Sequence, residues 1–183
     1  MFSYKVDDEI ELRLLEERHA EEVFRLLERN RSHLEEELTW LDEQLSLNDA
    51  REYIKAGLER FSVNNGFRAG IWLRGHLAGI VSLHNLNWTD RRASLGYWLG
   101  ASFQGQGIVT KACRALISHS FRELKLNRLE IQCAPDNDRS RKVAGRLGFT
   151  QEGLLRQSWW IRGRFVDQLV YGLLRDEWRD DAS

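Results

Sequence analysis

The stretch Tyr97-Trp98-Leu99-Gly100-Ala101-Ser102-Phe103-Gln104-Gly105-Gln106-Gly107-Ile108-Val109 decides the fold. A strand pattern enters it, glycines interrupt it, and an apolar helix pattern leaves it. Glycine lets the backbone turn tightly and approach a ligand without interference from a Cβ. The N–H groups at the start of the following helix, together with the helix dipole, favour phosphate. A pyrophosphate site is therefore the physical expectation, although a capping turn with no ligand would read much the same. Two other phosphate motifs do not fit. Ile108, Val109 and Thr110 follow Gly107, so there is no Lys-Ser/Thr in Walker A register. There is also no third glycine at dinucleotide spacing, and the strand before the turn follows antiparallel strands rather than a βαβ unit.

Upstream of the turn, residues 10–15 read as a short strand, and Ala20, Val23, Phe24 and Leu27 recur at helical spacing. Ala50, Tyr53, Ile54, Gly57, Leu58 and Phe61 form a clearer helical stripe, with Asn48 or Asp49 as its cap. Residues 38–47 between them read as loop or broken helix. Alternation over 67–73 and 77–83 around Arg74-Gly75-His76 predicts a hairpin, and 94–100 a further strand after a polar turn at 87–91. Downstream come a helix over 108–124, a strand over 127–134, a short helix over 136–147 ended by Gly148, and two strands, 154–161 and 165–174, around Arg162-Gly163-Arg164. The expected fold is α/β, a mixed, mostly antiparallel sheet with helices on both faces, and 1–183 forms a single domain.

Composition narrows the function. Lys plus Arg is 27 and Asp plus Glu 28, so no net field points to nucleic acid or an anionic membrane. No apolar run reaches the roughly 20 residues needed to span a bilayer, and the first eight residues carry no signal pattern; a cytoplasmic protein is expected. Cys113 and Cys133 sit in apolar runs with no metal-ligand spacing, so buried thiols and no metal are expected.

A second motif, Asp136-Asn137-Asp138-Arg139-Ser140 through Leu147-Gly148-Phe149, reads as a capped helix burying Val143, Ala144 and Leu147. An Asn at the helix mouth with a Ser one turn on is not explained by capping alone. Together the two motifs resemble the GNAT superfamily of acetyltransferases, and most closely its ribosomal-protein N-terminal (RimL-like) branch. The likeness extends from Ile10 through Asn30-Arg31-Ser32-His33-Leu34 and Ser82-Leu83-His84-Asn85-Leu86 to Asp167 and Tyr171.

The resemblance implies acetyl-CoA as cosubstrate, with its pantetheine arm between the strands flanking the glycine-turn helix. It assigns the pyrophosphate to the backbone of Gln104, Gly105, Gln106, Gly107, Ile108 and Val109, and the arm to Asn137. A backbone N–H near Leu99 would polarise the thioester carbonyl. Relatives with a tyrosine acid place it where Ala144 stands, so Ser140 is the candidate acid, against a purely structural role in its helix. The family's acidic base positions are taken by Ser94 and Trp159; His84 is the candidate base, with Asp167 as another and His119 read as structural. A missing carboxylate favours an α-amine acceptor: with a pKa near 7.7–8.0 about a tenth is neutral at pH 7, against about 0.04% of a lysine.

The expected function is acetyl transfer to a primary amine, the N-terminal α-amine of a ribosomal or other protein. Small amines such as an antibiotic or polyamine are the alternative, and a non-catalytic acetyl-CoA-binding module the third reading. Trp40, Trp88, Trp159 and Trp160 are candidate groove-lining residues, and Glu35-Glu36-Glu37 reads as a solvated helix face or an attractor of a cationic acceptor. A homodimer is compatible with this reading.

Overall fold

The computed structural model describes residues 3–35, 38, 41, 45–161 and 163–179. Its strands are β1 (Ser3–Lys5), β2 (Ile10–Leu14), β3 (Gly66–Leu73), β4 (His76–Asn87), β5 (Arg92–Leu99), β6 (Arg128–Cys133), β7 (Thr150–Ile161) and β8 (Arg164–Leu174). The helices are α1 (Ala20–Arg29), α2 (Arg31–Leu34), α3 (Leu47–Ser62), α4 (Ile108–Arg122) and α5 (Asp138–Arg146). One sheet runs in the order β1-β2-β3-β4-β5-β6-β8-β7. Every pairing is antiparallel except β5 with β6. The mixed, mostly antiparallel sheet is as expected.

Alternation sorts the two faces. Ile71, Val81, Leu95, Leu129, Ile131 and Leu173 point to one face and pack with Ala112, Leu116 and Ile117 of α4 and Val143 of α5. Trp72, Ile80 and Trp98 point to the other and pack with Val23 and Leu27 of α1 and Ala50 and Ile54 of α3. Each helix buries one stripe, which a 3.6-residue period lays along one side.

The differences from expectation are local. Strand β1 is three residues with no apolar alternation, and it forms only as the edge partner of β2. Helix α3 is capped by Ser46, not by Asn48 or Asp49; the Ser46 hydroxyl accepts from the Asp49 N–H at 3.3 Å, and the Asp49 carboxylate accepts from the Ser46 N–H at 2.8 Å. Such a reciprocal box satisfies two donors at the helix start, which is why Asp49 reads as a cap although it stands inside. The far end of the α3 stripe, Phe61, is 43% exposed. Strand β7 starts at Thr150 rather than 154, with Thr150 paired to Gly172, and its register with β8 shifts between Gln151 and Gly153 and again between Leu155 and Trp159, which hides its alternation in the sequence. Arg162, Trp40, Glu36 and Glu37 lie outside the described residues, as do residues 39 and 42–44 of the stretch 38–47. No helix among the described residues is long and apolar enough to cross a membrane.

Candidate active site

Strands β5 and β6 pair over three residues only, Arg92 with Arg128, Ala93 with Leu129 and Ser94 with Glu130. Beyond Ser94 both continue, β5 still bound to β4 as far as Leu99 and β6 to β8 as far as Cys133. The sheet therefore opens into a V between Leu95–Leu99 and Ile131–Cys133. Ionic contacts fasten its apex. The Arg128 guanidinium donates to Glu130 at 2.8 Å and to both oxygens of Glu152 on β7, while Arg92 lies 3.8 Å from Glu130.

An opened strand edge presents backbone donors and acceptors to an extended ligand. Gly100 N–H turns to β4, where the Ala78 carbonyl accepts it at 2.9 Å. Successive residues of a strand face opposite edges, so the N–H and C=O of Leu99 turn to the V.

At the wide end lies the glycine turn. Gly105 and Gly107 have φ of +75° and +74°, and a Cβ on either would meet nothing within 4 Å. The turn is thus left-handed at both glycines and open above them. Gly107 is the N-cap of α4 without a side-chain cap, so the first N–H groups of the helix are available to an anion. This open, donor-lined cradle fits a pyrophosphate.

Across the V stands α5. The Asn137 side-chain oxygen caps it, accepting from the Ser140 N–H at 2.9 Å, which leaves the amide NH2 as a donor. The Ser140 hydroxyl lies 2.9 Å from the Tyr97 hydroxyl, which also donates to the Ser140 carbonyl at 3.2 Å. Ser140 and Tyr97 thus meet on the α4–α5 face. Ala144 is fully buried against the core, with no hydroxyl to offer.

His84 lies on the opposite face. It pairs with Ser94, and a Cβ placed on Gly96 would stand 3.2 Å from its ring. Burial, reinforced by the positive charge of Arg60 and Arg68, pushes its pKa down to about 4. The imidazole is neutral at pH 7 and a weak base. The Asp167 carboxylate accepts from the Gln157 N–H at 2.7 Å and closes the bulge between β7 and β8. Ser94 and Trp159 are half-buried. Trp88 is tied by its indole N–H to the Asn64 carbonyl at 2.7 Å, and Trp160 stacks edge-on against Phe165 at 4.7 Å. Cys113 and Cys133 are buried thiols and form no disulfide.

The sequence reading missed a tie across the wide end. His33 on α2 contacts the Gln104 side-chain amide at 2.5 Å through Nε2, and Arg139 on α5 donates to its Nδ1 at 3.1 Å. Burial first, then Arg139, lowers the His33 pKa and favours the neutral ring. One turn earlier, the Asn30 side-chain oxygen accepts from the Ala101 N–H at 2.8 Å. The i, i+3 spacing of Asn30 and His33 was the signal available; that both reach the glycine turn 71 residues away was not.

Residues 9–150 match the family model described as an acetyltransferase (GNAT) domain. The Bacillus subtilis protein YdaF is 40% identical over 182 residues, covering 99% of this chain and 100% of its own. The ribosomal-protein-serine acetyltransferase of Escherichia coli is 31% identical over 172 residues, 94% of this chain and 96% of its own. A solved structure of RimL, a ribosomal L7/L12 α-N-protein acetyltransferase in complex with coenzyme A, superposes with a TM-score of 0.90 at 29% identity, over 94% of this chain and 98% of that one.

Proposed function

We propose an acceptor on one premise: the chain belongs to the GNAT acetyltransferase family, is an N-acetyltransferase and uses acetyl-CoA. The acceptor is the N-terminal α-amine of a protein, with a ribosomal protein as the first choice, and 1–183 acts as one catalytic domain. A ribosomal acceptor would place the reaction in the cytoplasm. The observation that carries this reading is end-to-end likeness, over more than nine-tenths of both chains, to enzymes named for α-N-acetylation of ribosomal protein.

The residues present suit the chemistry. The backbone of Gln104, Gly105, Gln106, Gly107, Ile108 and Val109 would hold the pyrophosphate and the Asn137 amide the pantetheine arm. The Leu99 N–H would donate to the thioester oxygen as charge develops there. Ser140, with its hydroxyl already in a hydrogen bond to Tyr97, would return a proton to the leaving sulfur. The amine must attack neutral. His84 is a neutral nitrogen on the face covered by α1 and α3, but with a pKa of about 4 it holds a proton only briefly before water takes it. An α-amine needs little more, since a useful fraction is neutral at pH 7 without help.

The test compares peptides with a free Ser or Ala N-terminus against matched peptides offering only lysine amines, several sequences of each. The α-amine peptides are expected to react faster, with kcat/KM rising with pH and levelling near the amine's own pKa of about 8, in the wild type and in His84→Gln alike. A profile abolished by His84→Gln would make His84 a true base. Preference for a polyamine or aminoglycoside over every peptide would overturn the α-amine reading.

A further inference from the structure

We propose that the floor of the V on the side of α1 and α3, formed by Arg68 and His84 with Arg60 nearby, binds an anionic group that the acceptor carries within a few residues of its reacting amine. The inference rests on the α-amine reading and specifies the class of N-terminus: an acidic one.

Pairing places the groups. Arg68 on β3 pairs with Ser82 on β4, and Ser82 with Gly96 on β5, so the three form one row on the face covered by α1 and α3. Gly96 lies just beyond Ser94, the last residue of β5 to pair with β6, and so borders the V. With strands about 4.8 Å apart, the Arg68 backbone stands about 10 Å from that edge. An extended peptide advances about 3.3 Å per residue, so side chains on about the second to fourth residues of an acceptor reach this floor while its amine is at the V. Nothing but a hydrogen projects from Gly96, and the Ser82 hydroxyl and the His84 ring stand beside it.

The chemistry of the floor is one-sided. The half-buried Arg68 guanidinium stacks on the Tyr53 ring at 3.8 Å and donates to the Tyr53 carbonyl. Among the described residues no carboxylate reaches it, in contrast to Arg13, Arg74 and Arg128, each of which holds at least one. A guanidinium has five N–H donors and no acceptor, so most of its capacity is unspent. Arg60 adds a second positive charge close enough to depress both Arg68 and His84. Uncompensated charge in a partly desolvated site is costly, and an incoming carboxylate or phosphate offsets that cost. A polyamine meets like charge instead.

The experiment uses the full chain with acetyl-CoA and two peptides of identical N-terminal residue, one with Asp or Glu at the second to fourth positions and one with Asn or Gln there. The acidic peptide is expected to show at least tenfold higher kcat/KM at low salt, with the ratio shrinking as salt rises. Arg68→Gln should bring the ratio close to one. Because Arg68 packs against α3, Arg60→Gln, at an exposed position, serves as the second variant and should lower the ratio severalfold. In a titration followed by NMR, the acidic peptide should raise the His84 pKa and the neutral peptide should not. Equal rates for the two peptides in the wild type, or a ratio that survives both substitutions, overturns the proposal. If neither peptide is acetylated, the α-amine reading fails by itself; the anion site is then decided by the His84 shift, whose absence overturns it.

Discussion

Ser140 and Tyr97 show how one hydrogen bond gives a side chain a direction. A serine near a helix N-terminus ordinarily bonds to its own backbone. Here the backbone N–H of Ser140 is satisfied by Asn137, and the hydroxyl is held by a tyrosine from a different element, 43 residues away. Ser140→Ala is therefore expected to lower kcat by about 100-fold, the lower range for loss of a positioned acid. Acetyl-CoA affinity, measured by isothermal titration, should stay within a few-fold. Tyr97→Phe should cost less, because it removes the orienting partner and leaves the hydroxyl. An unchanged kcat in Ser140→Ala would return that residue to a structural role. The serine and the asparagine were both legible in the sequence as a motif; the tyrosine was not, because its position on β5 marks it only as an inward-facing aromatic.

At the scale of elements, the glycine turn and α4 form one unit, and the α1–α2 corner is fastened to it by Asn30 and His33. Acetyl-CoA should raise the melting temperature, since a ligand of the native state stabilises it in proportion to RT ln(1 + [L]/Kd). Gly105→Glu and Gly107→Glu should each abolish that rise: both demand a left-handed backbone from a residue that avoids it and put a carboxylate where phosphate would lie. A full thermal shift in both variants would move the pyrophosphate elsewhere. His33→Ala should raise the KM for acetyl-CoA severalfold more than it lowers kcat, because it unfastens the glycine turn without touching Ser140. A change confined to kcat would contradict that assignment. The helical stripes and the hairpin at Gly75 were readable from periodicity. The extra strand β1 and the bulge at Gln157 were not, since each depends on a neighbouring strand to take up its hydrogen bonds.

For the molecule as a whole, the apex of the V joins two halves of the sheet through three residue pairs and the Arg92–Glu130–Arg128–Glu152 contacts. Arg128 holds the Glu152 carboxyl below its ordinary range. The sign follows from linkage: a depressed carboxylate contributes stability above its unfolded pKa of about 4.3, and that contribution is lost as pH falls through the folded value. Thermal melts of the wild type should therefore lose stability below about pH 4. Glu152→Gln should be less stable than the wild type near pH 7, and the difference should narrow in that acid range. Glu152 is partly exposed, so the effect is expected to be modest and sensitive to salt. A gap between the two proteins that is constant with pH would remove the ion pair from the account.

The sequence by itself determined the order of the elements other than β1 and α2, the glycine turn, the capped helix bearing Asn137 and Ser140, and through these the family. All are local patterns in which spacing alone dictates backbone conformation. Only the tertiary structure decided where β5 and β6 part, because pairing between residues 36 positions apart leaves no periodic trace in either strand. It alone put Ser140 and His84 on opposite faces, gave Asp167 to a bulge, and brought His33 to Gln104 and Arg139. It also left Arg68 without a carboxylate among the described residues. A side chain's charge is written in the sequence, but the charges that surround it depend on which strands lie side by side.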